Sequence, residues 1–229
     1  MEPALPLAGT AVVLRDGADG LETLMLRRPR TGSFADAWVF PGGKVEPADG
    51  GPVDGAPANG APVNGDPADA ERDIAGRAAV RETLEETGIR VDGAAPLSLW
   101  TPPAQAPVRI RTWFFVARDL GDPVRINPGE IVDAVWCAPG ETLRRHAAGE
   151  LVLFPPTWVT LHGLTPHASI AEVYAALGEP GRFATRVAGE TAGTRFLWRG
   201  DEDYPDASGP AAGRHRLDTA ELPWRYERS

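Results

Sequence analysis

The chain has 229 residues with a formal net charge of −9, and 42% of its residues are hydrophobic. This length allows one domain of ordinary size plus an extension. An acidic chain without a basic tract argues against nucleic acid as a partner, although a bound metal could still attract a phosphorylated small molecule.

Cysteine usage and hydropathy suggest where the protein works. Cys137 is the single cysteine, so no disulfide can form within the chain, and a reducing cytoplasm fits. The apolar runs are too short to span a membrane, and no basic segment followed by an apolar run begins the sequence. We therefore expect a cytoplasmic protein without a signal peptide or membrane segment.

The first elements predict a hairpin followed by a cationic segment. Leu7–Leu14 has the composition of a buried strand, and Leu21–Leu26 is its expected partner after a Gly- and Asp-rich turn. Arg27, Arg28 and Arg30 follow the second strand. They form either a solvated rim or a contact surface for phosphate or carboxylate groups, which guanidinium groups bind through paired hydrogen bonds.

A glycine pair and a low-complexity segment come next. A short apolar strand, Trp38–Phe40, leads into Gly42 and Gly43, which indicate a tight turn or backbone close to a ligand. Lys44 follows as a candidate substrate contact. Residues 50–69 are built from the pentads GGPVD, GAPAN, GAPVN and GDPAD, whose composition predicts a flexible, exposed insertion.

A helix is predicted over residues 69–87, with Gly88 as its end. Helical geometry places Glu82, Glu85 and Glu86 within an arc of about 100° on one face. Their mutual repulsion would be offset by a divalent cation, and Mg²⁺ or Mn²⁺ prefers such oxygen ligands. The alternative interpretation is an ordinary solvated acidic helix end.

The remaining elements alternate irregularly, which favours a mixed α/β sandwich over a doubly wound sheet. Strands are predicted at Ile89–Val91, Leu97–Thr101, Ile110–Arg118 and Ile131–Cys137, and helices at Glu141–Ala148 and Thr157–Leu164. Residues 165–229 predict an α+β extension with a helix at His167–Leu177 and strands at Arg182–Val187, Thr194–Trp198 and Arg214–Leu217. Its large apolar residues should pack on the core or on a second subunit, as in a homodimer.

With PGGKVE and RETLEETGI both present, the chain resembles the Nudix hydrolase family. In that signature a glycine and an isolated glutamate precede Arg-Glu-U-x-Glu-Glu-x-Gly-U, where U is apolar. The second half matches Arg81–Ile89, and the first half begins at Gly43. The insertion lengthens the spacing between them, so the isolated acid falls on Asp49 counted from Gly43 or on Asp73 counted from Arg81, and both stay open.

The resemblance implies a Nudix-type α/β/α sandwich over residues 1–164 that hydrolyses a nucleoside diphosphate linked to another group. By this resemblance Glu82, Glu85 and Glu86 hold Mg²⁺ or Mn²⁺ with the Gly42 carbonyl, and Arg81 orients the glutamates. Glu82 would help to deprotonate the water. Some members of the family use a further acid from a distant loop, for which Glu130 is the candidate.

A second set of motifs resembles the branch that includes the peroxisomal coenzyme A diphosphatases. These motifs are Trp100-Thr101-Pro102, Arg111–Val116, Gly149-Glu150-Leu151 and Pro155-Pro156-Thr157. The branch implies coenzyme A or its thioesters as substrate, with Trp100, Trp113 and Phe115 either facing the adenine or acyl chain or packing in the core. ADP-ribose, NADH and diadenosine polyphosphates are alternatives, as is a non-catalytic Nudix-fold ligand sensor.

Overall fold

The structure is a computed structural model that describes residues 5–32, 34–50, 67–188, 195–205 and 213–229. The insertion predicted at residues 50–69 lies largely outside these ranges. The main sheet is formed by β1 (Leu7–Gly17), β2 (Gly20–Arg27), β3 (Trp38–Val39), β4 (Gly42–Lys44), β5 (Val91–Thr101), β6 (Arg111–Asp119), β7 (Asp133–Cys137) and β8 (Gly181–Ala184). The helices are α1 (Pro67–Thr87), α2 (Pro139–Ala147), α3 (Pro155–Leu164) and α4 (Ile170–Ala176). A smaller sheet contains β9 (Arg186–Ala188), β10 (Arg195–Leu197), β11 (His215–Asp218) and β12 (Arg225–Arg228).

The main sheet is mixed, and its order is β3-β2-β1-β6-β5-β8. Strands β1 and β6 are parallel, as are β5 and β8, whereas the other pairs are antiparallel. Off this path, β4 pairs with β1 and β7 pairs with β2. The mixed α/β sandwich predicted from the sequence is therefore confirmed.

Apolar side chains pack in separate layers on the two faces of the sheet, as strand alternation requires. Along β1, Val12 and Leu14 belong to the layer that includes residues of α3 and α4, whereas Ala11 and Val13 belong to the layer beneath α1. Helix α1 approaches β1 very closely, because a Cβ on Gly9 would lie 1.8 Å from the Ala75 carbonyl oxygen. This contact fixes the height of α1 above the sheet.

Most element boundaries differ by one to three residues from those predicted, and β5 and α1 show why. In place of the separate strands expected at Ile89–Val91 and Leu97–Thr101, one strand, β5, runs from Val91 to Thr101. Its pairing with β6 shifts in register between Asp92 and Ala95 and again between Pro96 and Ser98. The Gly and Pro residues therefore mark bulges within a strand and not its end. Helix α1 begins at Pro67, two residues before the expected start.

The aromatic residues considered as a substrate surface lie in the core. Trp100, Trp113 and Phe115 are only 4%, 3% and 2% exposed. Trp113 and Phe115 share the layer beneath α1, as alternation predicts, and the Trp113 indole donates to Glu71 at 2.9 Å. The core alternative is the correct one, because the strands that carry these residues lie inside the sheet, covered on both faces.

Residues beyond 164 contribute to the main sheet and its core. Strand β8 pairs with β5 in parallel, and Phe183 stacks on Trp100 at 3.9 Å between ring centroids with an interplanar angle of 7°. The strand predicted at Arg182–Val187 divides at Thr185 between the two sheets. Strand β12 was not predicted, since Arg-Tyr-Glu-Arg has one apolar residue and no recognisable alternation. No helix among the described residues is long and apolar enough to cross a membrane.

Candidate active site

Arg81 joins the C-terminal half of α1 to the turn that follows β4. Its Nε and Nη2 atoms each donate to one oxygen of Asp49, both at 3.0 Å, and Nη2 also donates to the Lys44 carbonyl at 3.1 Å. The Nη1 atom donates to Glu82 at 3.0 Å and to Glu85 at 2.9 Å. The Arg81 guanidinium therefore fixes both the turn and two acids of the helix. Lys44 takes part through its carbonyl, and its side chain is exposed.

Asp49 is the acid that pairs with Arg81. It is 4% exposed, and its Oδ2 also accepts from the Glu46 amide at 2.8 Å. Burial acts to raise the pKa of Asp49, but the hydrogen bonds from Arg81 and Glu46 outweigh it and lower the pKa below its usual value. Asp73 is 62% exposed and lies 3.8 Å from Arg72. Of the two positions left open by counting, the geometry favours Asp49.

Glu86 is the most buried acid of the helix, at 2% exposure. Its Oε2 accepts from the Gly42 amide at 3.0 Å, and its Oε1 accepts from Arg28 at 3.1 Å. Burial raises the pKa of Glu86 to about 7, against the lowering effects of the Gly42 amide and Arg28. Gly42 therefore acts on the site through its N–H, a contact that the sequence did not predict.

Glu82 lies directly over Gly43. A Cβ on Gly43 would be 2.1 Å from Glu82 Oε1 and 2.2 Å from its carboxyl carbon, so the absent side chain leaves the space that the carboxylate occupies. Burial raises the pKa of Glu82, although Arg81 opposes this effect. The two glycines therefore position different acids: Gly42 donates a hydrogen bond to Glu86, and Gly43 leaves space for the carboxylate of Glu82.

The loop before β7 brings a third acid to this pair. The Asn127 amide donates to the Glu86 carbonyl at 2.9 Å, and the Glu130 amide donates to the Asn127 carbonyl at 3.0 Å, which anchors the loop to the end of α1. One oxygen from each of Glu82, Glu86 and Glu130 lies within 4.8 Å of the other two. We refer to these three residues as the acidic cluster. The carboxylate of Glu85 is 54% exposed and turns to Arg81, outside this cluster.

The acidic cluster fits a divalent cation. It consists of carboxylate oxygens alone, which Mg²⁺ and Mn²⁺ prefer, and it combines an exposed acid, a partly buried acid and a fully buried acid. Like charges at such separations oppose one another, and burial raises the pKa values of Glu82 and Glu86 although Arg81 and Arg28 lie beside them. A cation in their midst would satisfy all three.

The three arginines at the end of β2 and just beyond it lie in different places. Arg28 continues the face of Leu24 and Leu26 toward α1 and reaches Glu86. Arg27 faces the other way and donates to Asp36 through Nε at 2.9 Å and Nη2 at 2.6 Å. Arg30 is 83% exposed and lies 3.9 Å from the same Asp36. They do not form one cationic patch, and Arg28 is the member that reaches the acidic cluster.

A cluster of carboxylates that fits a divalent cation, set beside a glycine turn in a mixed sandwich, is suited to metal-assisted hydrolysis. Comparison with known proteins agrees. The family model described as the NUDIX domain matches residues 5–155. The chain belongs to the Nudix family, and it is a Nudix pyrophosphohydrolase, of a fold that binds small nucleotide substrates.

Solved structures of Nudix proteins are similar to this chain to different degrees. A Nudix hydrolase from Alicyclobacillus acidocaldarius has a TM-score of 0.62 and 25% identity, covering 78% of this chain and 99% of that one. A MutT Nudix hydrolase from Burkholderia pseudomallei has a TM-score of 0.46 and 21% identity, covering 70% and 98%. The Nudix domain of Shewanella oneidensis NrtR, solved with ADP-ribose, has a TM-score of 0.46 and 15% identity, covering 65% and 85%. No curated protein sequence matches the chain.

Proposed function

We propose that the acidic cluster of Glu82, Glu86 and Glu130 holds Mg²⁺ or Mn²⁺ for hydrolysis of the diphosphate linkage in a nucleoside diphosphate derivative. The observation that carries this proposal is the approach of the three carboxylates to within 4.8 Å of one another. Glu85 and the Gly42 carbonyl, which the family pattern also implies as ligands, complete the proposed oxygen set. Glu130, which the sequence offered only as a further acid from a distant loop, is a member of the cluster in this proposal.

The proposed chemistry divides among the residues of the site. A bound ion would supply Lewis-acid stabilisation of the diphosphate oxygens and a lowered water pKa. Glu82 would accept a proton from the attacking water, since its carboxylate belongs to the acidic cluster and lies over Gly43. Arg81 is a positioning residue, because it holds Glu82 and the 42–50 turn. Arg28, Arg30 and Lys44 are the proposed contacts to substrate phosphates.

Coenzyme A or an acyl-CoA is the proposed substrate. Its support is the set of branch motifs in the sequence, together with the 83% exposure of Arg30, which leaves that guanidinium accessible to a 3′-phosphate. Arg27 is a poorer candidate than the sequence suggested, because Asp36 already holds it. Hydrolysis would give 3′,5′-ADP and a phosphopantetheine product.

The test compares kcat/KM for coenzyme A, dephospho-CoA, ADP-ribose, NADH and a diadenosine polyphosphate with Mg²⁺ and with Mn²⁺. A preference for coenzyme A over dephospho-CoA supports a 3′-phosphate contact. A tenfold advantage of ADP-ribose or NADH, about 1.4 kcal/mol of transition-state preference, would overturn the coenzyme A assignment and leave the reaction class.

A non-catalytic ligand sensor is the alternative that the sequence also allowed. It is disfavoured because the acids of the helix are all present and two of them meet Glu130. Glu86→Gln, which keeps the shape of the side chain and removes its charge, should reduce hydrolysis by orders of magnitude while the fold persists.

We also propose that the protein works in the cytoplasm, because its single cysteine fits a reducing environment. We further predict a homodimer, which light scattering would test.

A further inference from the structure

Arg28 binds an oxygen of Glu86 that a metal ion in the acidic cluster would also bind. Strand alternation carries it from the end of β2 onto the face of the sheet that α1 covers, and its Nη1 lies 3.1 Å from Glu86 Oε1. The other oxygen of Glu86 accepts from the Gly42 amide at 3.0 Å. Both oxygens of the buried acid are therefore engaged, one by a cation and one by a neutral donor.

The two groups that donate to Glu86, the Gly42 amide and the Arg28 guanidinium, differ in how readily they can move away from it. The Gly42 amide belongs to β4, which pairs with β1, so it is fixed by the sheet. The side chain of Arg28 is 30% exposed, whereas that of Glu86 is only 2% exposed, so the arginine has a route to solvent and the acid has none. A guanidinium and a divalent cation repel each other strongly in a partly buried site. Entry of an ion next to Glu86 therefore favours departure of Arg28.

We propose that Arg28 is an internal counter-ion for Glu86, which metal binding displaces and the substrate diphosphate then recaptures. This inference rests on the proposed function of the acidic cluster. In the metal-free protein the guanidinium compensates the charge of a buried acid that could not otherwise ionise at low cost. Once the ion takes over that compensation, the guanidinium is left beside a site that receives two phosphate groups, for which its planar set of donors is suited.

The proposal requires opposite effects of one substitution on two ligands. Removing the guanidinium removes a competitor of the metal ion, so Arg28→Gln should bind Mn²⁺ more tightly than the natural chain. The same change removes a donor to the diphosphate, so KM for the preferred substrate should rise. A residue that only maintains the fold would weaken both interactions together.

The experiment measures Mn²⁺ binding to the full chain by the EPR signal of the free ion, without substrate. The variants are Arg28→Gln, Arg28→Lys, Glu86→Gln and, as a matched control, Arg144→Gln, whose exposed guanidinium pairs with Glu141 on α2. We expect Mn²⁺ affinity to rise about fivefold to tenfold in Arg28→Gln, to stay near the natural value in Arg28→Lys, and to be unchanged in Arg144→Gln. KM in Arg28→Gln should rise by a similar factor or more.

The outcomes separate this inference from the function beneath it. If Glu86→Gln binds Mn²⁺ as well as the natural chain does, the metal site itself is wrongly assigned. If Glu86→Gln loses the ion but Arg28→Gln binds it equally or less tightly, the counter-ion role is overturned and the metal site stands. Circular dichroism of each variant identifies any that fails to fold, and Arg28→Ala, which also removes the guanidinium, then replaces Arg28→Gln with the same two expectations of tighter Mn²⁺ binding and raised KM.

Discussion

At the scale of single residues, Gly43 determines where Glu82 can lie. The carboxylate occupies the volume that a Cβ would fill, and the obstructing atoms are the end of a side chain and not backbone. An added methyl group should therefore move Glu82 out of the acidic cluster while the turn itself survives. This distinguishes Gly43 from Gly9, where a Cβ would meet the backbone of α1 at 1.8 Å and the helix would have to shift.

We predict that Gly43→Ala reduces kcat at least tenfold and lowers the free energy of unfolding by no more than about 1 kcal/mol. Gly9→Ala should instead destabilise the chain by about 3 kcal/mol, because overpacking against backbone cannot relax through a side chain. Steady-state kinetics and urea unfolding of the two variants provide the comparison. Equal losses of stability would contradict the distinction between them.

A second prediction at this scale concerns the pairing of Asp49 with Arg81. Asp49→Asn keeps the shape but removes the charge that holds Arg81, so Glu82 and Glu85 lose their common anchor. We expect kcat to fall by about tenfold to a hundredfold, because small displacements of a catalytic group slow the reaction steeply. Asp73→Asn, at the other position left open by the sequence, should leave kcat unchanged. Similar losses in both variants would refute the assignment.

At the scale of elements, the sequence predicted the helices and hairpins that depend on residues close together in the chain. The helix over residues 69–87 was recognisable because its acids and its terminal Gly88 follow helical spacing, and the β1–β2 hairpin because buried strands flank a Gly- and Asp-rich turn. The assembly of the acidic cluster depended on long-range contacts. Glu130 joins it because Asn127 bonds to the end of α1, and Arg28 reaches Glu86 across 58 positions of sequence. No local pattern encodes either contact.

The small sheet depends on a buried ion pair that the sequence did not reveal. Asp201 is 0% exposed and accepts from Arg216 through Nε at 2.7 Å and Nη2 at 2.5 Å, and from the His215 amide at 2.8 Å. Burial acts to raise the pKa of Asp201, but the hydrogen bonds from Arg216, His215 and Asp203 outweigh it, so its pKa is lowered. The ionised form is therefore the one that the fold stabilises.

This gives a pH dependence with a definite sign. Because the pKa of Asp201 is lower in the folded than in the unfolded chain, its contribution is complete well above the unfolded value and is lost as pH falls through the folded one. Asp201→Asn should cost about 3 kcal/mol at pH 7, since it removes the fully buried charge partner of Arg216 and leaves the more exposed Glu202 and Asp203 as its remaining ion-pair partners. The difference from the natural chain should shrink below about pH 4. Unfolding in urea across pH 7 to 3 measures it, with Asp19→Asn, at an exposed residue of the turn between β1 and β2, as the control.

At the scale of the whole molecule, the residues after 164 and the sheet before them share one core. Phe183 stacks on Trp100 and contacts Trp198 edge to face, with ring centroids 5.5 Å apart, and all three rings are buried. Trp158 on α3 lies 6.2 Å from Trp224 and 6.5 Å from Tyr226, measured between ring centroids. Aromatic contacts of this density favour a single cooperative unit over two independent ones.

We predict that Phe183→Ala lowers the free energy of unfolding of the entire chain by about 3–5 kcal/mol and keeps a single transition. Phe154→Ala, at a ring that is 37% exposed, should cost much less. Tryptophan fluorescence and circular dichroism should give coincident unfolding curves in both variants. A separate early transition confined to the residues after 164 would show that they fold on their own.

Strand β8 also protects the edge of β5 against pairing with other copies of the chain. An unprotected strand edge offers a row of backbone donors and acceptors to any other extended chain, which is a starting point for aggregation. Four residues of β8 cover β5 at Ser98–Thr101, and the earlier part of β5 is interrupted by register shifts and by Pro96, which has no N–H to offer. Loss of the final 65 or so residues would therefore turn the C-terminal half of β5 into a template for intermolecular strand addition.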